Sequence, residues 1–219
     1  MTTHGFYPLT LVEKKREYDN VHTLFFSSSV PISFVPGQYV HLLAPASPPG
    51  PENVRHLSIA SIPEVGTLQF SLDLTPTSGY KQRLAVLNPG ETVHIFKVKG
   101  EFVLESPPPP QIVFLAGGLG ITPIRSLLEH IRQDQLPIDW RLAHVARGDF
   151  LYQNEIEGWG GLQLRIRHAG VESLVHQWIA ERPLAQYYVC GSARFVDGVA
   201  ALLKAGGIPE TAIKIENFR

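Results

Sequence analysis

The chain has 219 residues, and its 19 lysines and arginines against 20 aspartates and glutamates give a formal net charge of −1. This length fits one large or two small domains with a substantial hydrophobic core. The absence of a clustered basic segment argues against a nucleic-acid partner. No stretch approaches the roughly 20 apolar residues of a membrane-spanning helix, and the N-terminal residues lack the layout of a signal peptide. We therefore expect a cytoplasmic protein that binds neither nucleic acid nor membrane.

Cys190 is the only cysteine in the sequence. A single thiol excludes an internal disulfide, a multi-cysteine zinc site and an iron–sulfur cluster held by four thiolates of this chain. The nine histidines show no metal-ligand spacing, so we expect no bound metal.

Short alternating or β-branched runs, separated by turn signals, occupy the first half of the chain. This rhythm predicts a small antiparallel β-barrel. One helical pattern interrupts it, because Tyr80, Leu84 and Leu87 share a face at positions i, i+4 and i+7. The predicted strands cover residues 7–15, 21–29, 38–45, 55–61, 67–74, 92–100 and 101–105.

Four consecutive prolines at 107–110 mark the predicted domain boundary. Prolines cannot donate backbone hydrogen bonds and favour an extended chain, so we expect a stiff linker between a first domain over 1–106 and a second over 111–219. Strands then alternate with amphipathic helices, which predicts a doubly wound parallel α/β sheet. The predicted strands are 112–116, 140–146, 162–167, 186–190 and 212–217, and the predicted helices are 123–133, 153–159, 171–182 and 193–206.

The sequence GGLGITP at 117–123 directly follows the first predicted parallel strand. Ligands of such sheets bind beyond the carboxyl ends of the strands, and the free N–H groups of a helix start attract anions. The glycine spacing differs from the dinucleotide fingerprint G-x-G-x-x-G. The turn alone therefore leaves open whether it is a cofactor site or a packing device.

Five motifs occur in order along the chain: GQYV at 37–40, RHLSIAS at 55–61, GGLGITP at 117–123, YVCGS at 188–192 and IENF at 215–218. Together they resemble the ferredoxin–NADP(+) reductase superfamily over essentially the whole chain, and within it the compact bacterial oxidoreductases. The resemblance implies an N-terminal FAD-binding β-barrel and a C-terminal NAD(P)-binding α/β domain. It also implies hydride transfer from NADH or NADPH to FAD, with electrons passed on to a ferredoxin, a haem protein, another redox protein or a small molecule.

For the flavin, the family signature Arg-x-aromatic-Ser reads Arg55-His56-Leu57-Ser58 here. The resemblance implies that the arginine binds the pyrophosphate and that the serine hydroxyl reaches the flavin N5. Leu57 departs from the family's Tyr or Phe, and loss of a stacking ring weakens flavin binding by on the order of 1 kcal/mol. The other implied flavin contacts are Asp73, Leu74, Tyr80, Lys81, the backbone N–H of Gln82, Thr122 and Phe218. A solvated lysine is the alternative interpretation of Lys81.

For the nicotinamide nucleotide, the resemblance implies contacts in the second domain. Three residues, Ser58, Cys190 and Glu216, are implied as the catalytic group around the flavin N5 and the nicotinamide C4. The thiol would shape the transfer geometry without acting as a nucleophile, and a structural buried cysteine is its alternative interpretation. The implied NAD(P)H contacts are Gly117, Gly118, Gly120, Thr122, Pro123, Arg147, Cys190 and Gly191.

Two functional questions stay open at this point. Ala169-Gly170 lie where NADPH-specific relatives typically carry Ser-Arg, which favours NADH, although Arg147, Arg165 and Arg167 are candidates for a 2′-phosphate. Leu57 favours a reductase that uses free flavin as a substrate, whereas Phe218 opposes it. A non-catalytic electron-transfer or binding subunit with the same fold is a further alternative.

Overall fold

The computed structural model describes residues 5–45, 48 and 50–218. These residues form two compact units that divide between Val103 and Leu104, three residues before the predicted end of the first domain. Glu105 explains the difference, because its carboxylate accepts a hydrogen bond of 2.6 Å from Gln186 and pairs with Lys214 at 3.4 Å. The segment before the four prolines is thereby attached to the second unit.

The first unit is an antiparallel sheet of six strands. They are β1 (Tyr7–Tyr18), β2 (Val21–Ser28), β3 (Tyr39–Leu43), β4 (Val54–Ser58), β5 (Leu68–Asp73) and β6 (Thr92–Lys99). Their order is β4-β3-β6-β1-β2-β5. The Ala60 N–H, just beyond β4, donates to the Gln69 carbonyl of β5 at 2.8 Å. This bond links the two edges of the sheet, as in the predicted barrel.

Alternation along the strands fills the interior of the first unit. Successive side chains of a strand point to opposite faces, and Val40 and Leu42 of β3 and Phe70 of β5 are fully buried in one apolar cluster. Helix α1 (Gly79–Ala85) adds Tyr80 and Leu84 to that cluster. Leu57 of β4 packs against this cluster, so its side of β4 is the one that borders the core.

The predicted strand over 101–105 is wrong, since these residues form no strand. The chain leaves the sheet at Gly100, whose φ of +114° is a conformation that β-strands do not use. Phe102 is buried, so the apolar pattern there reflects an anchor in a loop.

The second unit is a five-stranded parallel sheet with helices between the strands, which confirms the predicted doubly wound α/β architecture. The strands are β7 (Gln111–Gly117), β8 (Asp139–Val145), β9 (Leu162–Ile166), β10 (Gln186–Ser192) and β11 (Ile213–Phe218). The helices are α2 (Ile121–Gln133), α3 (Gln153–Ile156), α4 (Val171–Glu181) and α5 (Ala193–Ala205). Among the described residues, no helix combines the length and apolar character needed to cross a membrane.

Helices cover both faces of this sheet. Val113 and Leu115 of β7 share an apolar cluster with Trp178 of α4 and Val199 of α5. Residues such as Phe114 point to the opposite face, where α2 contacts β7. Helix α2 begins two residues before the predicted start at Pro123, because a helix tolerates proline in its first turn.

The strand order β11-β10-β7-β8-β9 places a topological switch point between β7 and β10. From β7 the chain proceeds to β8 and β9 on one side, and it then returns to β10 and β11 on the other. The crevice at the carboxyl ends of two such strands is the usual ligand site of this architecture. Here it lies between the GGLG turn after β7 and Cys190-Gly191 at the end of β10.

Candidate functional site

The turn after β7 packs tightly against the end of β10. A Cβ atom on Gly120 would lie 2.1 Å from the Cys190 carbonyl oxygen, and one on Gly117 would lie 2.6 Å from the Phe195 ring. These two glycines therefore allow the turn to approach β10 and α5. Gly118 differs, because its φ is +54° and a Cβ atom there would meet nothing within 4 Å. Among the three glycines, Gly118 is the one that borders open space where a ligand could approach the backbone.

Thr122 and Pro123 lie in the first turn of α2, and both are buried. The Thr122 hydroxyl donates a hydrogen bond of 2.8 Å to the Leu119 carbonyl. This bond stabilises the glycine-rich turn, so the hydroxyl is already occupied within the second unit.

Cys190, Gly191 and Glu216 lie at the same edge of the sheet. Cys190 is opposite Glu216 in the parallel pairing of β10 with β11, and Gly191 has a φ of +155°. Burial and the nearby Glu216 charge raise the pKa of the Cys190 thiol, whereas burial raises the pKa of Glu216. The thiol therefore stays protonated, as its predicted non-nucleophilic role requires. Phe218 is half-buried at the end of β11.

The sequence motifs do not include His144, although this residue contacts the glycine-rich turn. Its side chain is buried, and Nε2 lies 2.9 Å from the Gly118 carbonyl oxygen. Burial lowers the pKa of His144 to about 4, with a smaller lowering from the Arg165 charge and an opposing effect of the Gly118 hydrogen bond. A histidine in the otherwise apolar half of the predicted strand 140–146 is the signal that could have identified it.

The three arginines considered for a 2′-phosphate differ in their contacts. Arg165 pairs with Glu157 at 3.5 Å, and Arg167 donates to the carbonyls of Ala146 and Gly148 at 3.2 and 2.7 Å. Arg147 is exposed and makes no hydrogen bond or ion pair with any residue that the structure describes. Its guanidinium is therefore the one left available for an anion.

In the first unit, the side chains of Arg55 and Leu57 lie on the core-bordering face of β4. Leu57 is opposite the buried Val40 of β3, and it packs against the barrel core. Arg55 is exposed, donates to the Val54 carbonyl at 2.7 Å, and lies 5.2 Å from the ring centroid of Tyr80. The Tyr80 hydroxyl donates to the Leu42 carbonyl at 3.4 Å. The strand thus brings Arg55 beside α1.

His56 points the other way. Its ring lies against Tyr39 and His41, with centroids 5.1 and 4.2 Å apart. Side chains of neighbouring strand residues point to opposite faces, so the His56 ring lies on the face of β4 away from Arg55 and Leu57. Its flavin contact stays a prediction. Ser58 ends β4 and is buried, and its hydroxyl has no hydrogen-bond partner among the described residues. That hydroxyl is free to serve a ligand.

Two of the remaining predicted flavin residues, Asp73 and Leu74, already make contacts within the first unit. Asp73 accepts bonds of 2.7 and 2.6 Å from the Thr75 N–H and hydroxyl. Burial alone would raise the pKa of Asp73, but these bonds and the Lys81 charge together lower it. Leu74 is buried in the barrel core.

The flavin contact of the Gln82 N–H stays a prediction, although this group already has an acceptor within the helix. This group donates to the Ser78 carbonyl at 3.0 Å, because α1 already begins at Gly79. The Lys81 N–H is bonded to the Ser78 hydroxyl at 3.4 Å, and the Lys81 side chain is half-buried. Of the predicted groups in this helix, only the Lys81 ammonium is left to contact a phosphate.

Comparison with known proteins gives consistent relatives. The family model of the oxidoreductase NAD-binding domain matches residues 114–168. The chain is 28% identical over 211 residues to ferredoxin–NADP reductase B of Sorangium cellulosum, covering 84% of this chain and 85% of that protein. It is 24% identical over 206 residues to the toluate 1,2-dioxygenase electron transfer component of Pseudomonas putida, covering 85% of this chain and 59% of the relative. The chain thus spans most of the first relative but about three fifths of the second.

Among solved structures, ferredoxin–NADP+ reductase from Plasmodium falciparum superposes with a TM-score of 0.81. The sequences are 17% identical, and the match covers 100% of this chain and 98% of that one. At this identity the likeness concerns the fold, and it includes both units of the chain.

Proposed function

We propose that the chain is a member of the ferredoxin–NADP reductase superfamily, and from that premise we infer how its residues serve the reaction. It is an NAD(P)H-dependent flavoprotein oxidoreductase with FAD as its cofactor, and it passes electrons to a separate redox acceptor. The flavin, when bound, takes a hydride from the nicotinamide and can release electrons one at a time. The protein therefore has to hold two nucleotides and exclude water around the reacting atoms.

In the first unit, Arg55 and Lys81 would hold the FAD pyrophosphate. Both are cations at or beside α1, and a guanidinium can bind two phosphate oxygens in parallel. Ser58 would offer its unpaired hydroxyl to the flavin N5. Asp73 would contribute only through its backbone, since its carboxylate is bonded to Thr75. The flavin contacts of Thr122 and Phe218 stay predictions.

In the second unit, the glycine-rich turn would hold the nicotinamide nucleotide. The observation that carries this proposal is Gly118, which lies at the switch point with a left-handed φ and open space beside it. Cys190 would border the nicotinamide as a neutral thiol. Glu216, whose pKa is raised by burial, would hold a proton more readily than an exposed glutamate.

We propose NADH as the preferred donor. Ala169-Gly170 offer no guanidinium at the place where NADPH-specific relatives typically carry one, and Arg165 and Arg167 are committed to other groups. Arg147 is the remaining cation for a 2′-phosphate, so NADPH would be a poorer donor rather than an excluded one.

Anaerobic mixing of the flavin-replete protein with NADH and, separately, with NADPH tests the proposed function. We expect the visible flavin absorbance to be lost rapidly with NADH and more slowly with NADPH. Loss of colour with neither donor would exclude the oxidoreductase and favour a non-catalytic electron-transfer or binding subunit. Equal rates with both donors would contradict only the proposed preference.

The acceptor is proposed to be a ferredoxin, a haem protein or another redox protein, because one relative is named as the electron transfer component of a dioxygenase. The cytoplasmic location expected from the sequence stays a prediction. A small-molecule acceptor is the alternative, and it includes free flavin. Leu57 favours that case, since it packs against the barrel core instead of offering an aromatic ring. Yellow protein that retains FAD on purification supports the first function. Colourless protein that reduces added flavin with NADH supports the second.

A further inference from the structure

We propose that His144 is a positioning residue for the nicotinamide nucleotide, which it serves by fixing the orientation of the peptide group between Gly118 and Leu119. The inference rests on the proposed NAD(P)H-binding role of the glycine-rich turn. It concerns a residue that lies one strand away from that turn and 26 positions later in the chain.

The register of the sheet places His144 beneath the turn. It pairs with Ala116 in the parallel ladder of β7 with β8, two residues before Gly118. Its side chain is 4% exposed, and its Nε2 lies 2.9 Å from the Gly118 oxygen. Since a carbonyl oxygen can only accept, Nε2 must carry the hydrogen. The imidazole is therefore in the Nε2–H form.

The Gly118 peptide needs such a constraint. Glycine populates left-handed and right-handed conformations with similar ease, and no packing atom lies within 4 Å of a Cβ position on Gly118. The carbonyl also accepts from the Ile121 N–H at the start of α2. Two donors on one carbonyl hold it towards the protein interior.

The planar trans peptide links this carbonyl to the ligand side. In a trans peptide the C=O of Gly118 and the N–H of Leu119 point in opposite directions. With the carbonyl held towards His144, the Leu119 N–H is directed away from it. A flipped peptide would instead present a carbonyl oxygen in that direction, which repels an anionic nucleotide.

His144 also contacts Phe150, at the end of the loop that carries Arg147. Its ring meets Phe150 edge-on with centroids 5.2 Å apart. Arg167 lies 5.3 Å from the Phe150 ring and binds the Ala146 and Gly148 carbonyls on either side of Arg147. One buried ring thus supports both the glycine turn and the loop that carries Arg147.

The test compares His144→Phe, which keeps an aromatic ring but loses the donor, with His144→Gln, which keeps an amide donor at a similar reach. Steady-state rates with NADH and the artificial acceptor ferricyanide give KM and kcat for each holoenzyme. We expect His144→Phe to raise the KM for NADH about tenfold with a smaller change in kcat, and His144→Gln to stay within about threefold of wild type. FAD content should be the same in all three proteins.

An unchanged KM in His144→Phe, or a KM in His144→Gln as high as in His144→Phe, would overturn the inference. A purely structural role would lower the melting temperature without this separation of the two variants. If His144→Phe does not fold, nitrogen NMR of histidine-labelled wild type still decides, because a hydrogen on Nδ1 rather than Nε2 at neutral pH would refute the proposed bond. Wild type that is not reduced by NADH or NADPH would refute the proposed function itself.

Discussion

Cys190 and Glu216 lie opposite each other on the adjacent parallel strands β10 and β11, with the thiol fully buried and the carboxylate half-buried. Burial and the Glu216 charge both favour the neutral thiol. The reactive form of cysteine is the thiolate. This pairing therefore makes Cys190 a poor nucleophile in the folded chain.

The folded protein should therefore resist thiol reagents. With the aromatic disulfide DTNB at neutral pH, we expect no release of colour from the native protein and one equivalent in denaturant, since the chain has a single cysteine. The Cys190→Ser variant is the control and should release none in either condition. Rapid stoichiometric reaction of the native protein would contradict the buried, protonated thiol.

Adding one methyl group to the turn should destabilise the second unit. In Gly120→Ala the new Cβ would lie 2.1 Å from the Cys190 carbonyl oxygen, and we expect a loss of about 2 kcal/mol or more in the free energy of unfolding. All three tryptophans, Trp140, Trp159 and Trp178, belong to this unit, so their fluorescence during denaturant unfolding reports on it.

Gly198→Ala is the matched control for that variant. Gly198 lies inside α5 with nothing within 4 Å of its Cβ position, so alanine should stabilise the unit by about 0.5 to 1 kcal/mol. Equal effects of the two substitutions would show that the turn does not press against β10.

Removing the buried cation Arg125 should cost more stability than removing an exposed one. Arg125 is 4% exposed, pairs with Glu129 at 2.9 Å and with Glu155, and lies near the rings of Tyr152 and Trp159. Its replacement leaves two carboxylates without their partner. We expect Arg125→Met to lower the free energy of unfolding, measured by tryptophan fluorescence, by about 3 to 5 kcal/mol.

Lys204→Met provides the control for the ion pair. Lys204 binds Glu210 at 2.7 Å on the surface, where Glu210 is 82% exposed, and its loss should change stability by less than about 0.5 kcal/mol. A loss of comparable size in both variants would contradict the buried network.

The stability of the second unit should fall as the pH drops from 6.5 towards 4. Burial lowers the pKa of His144 from its ordinary 6.5 to about 4, so in this window the unfolded chain binds more protons than the folded one. The stabilising contribution is complete above pH 6.5 and is lost as the pH falls through the folded pKa, with an upper bound of about 3 kcal/mol.

His144→Gln isolates this effect, since it removes the titrating group and keeps an amide. Unfolding followed by tryptophan fluorescence at a series of pH values should give a shallower loss of stability for the variant than for wild type. Parallel curves would show that His144 does not titrate with a lowered pKa.

Leu57→Tyr should tighten the binding of FAD. A tyrosine supplies the aromatic ring that the resemblance to the reductase family implies at this position. Ring stacking contributes about 1 kcal/mol, or about a fivefold lower dissociation constant. Quenching of flavin fluorescence during titration of the flavin-free protein measures it. Val12→Tyr, at an exposed position of β1, should leave the affinity unchanged. Weaker binding by a folded Leu57→Tyr protein would count against a flavin at this face of β4.

Local periodicity was enough to predict most of the fold. The strands β1 to β6 and the alternating strands and helices from β7 to β11 are specified by apolar residues only a few positions apart. Such spacings can be read directly from the sequence. The same apolar alternation predicts a strand at 101–105, and this prediction is wrong. The chain leaves the sheet at Gly100 with a φ of +114°, and a hydrophobic pattern does not reveal the backbone conformation of a glycine. The start of helix α1 at Gly79 is likewise set by the Ser78 cap and is not visible in the apolar spacing of Tyr80 and Leu84.

The sequence by itself determined the two kinds of sheet, the place of the glycine-rich turn, and the ordered motifs that indicated the family. Tertiary structure alone decided that Gly120 meets the Cys190 carbonyl while Gly118 faces open space, and that His144 donates to Gly118. It also decided that, of Arg147, Arg165 and Arg167, only Arg147 has no hydrogen bond or ion pair with a described residue. These facts depend on strand order and register, which join residues far apart in the chain. Hydrophobic period specifies which face of a strand is buried, but only the assembled sheet specifies which side chains meet there.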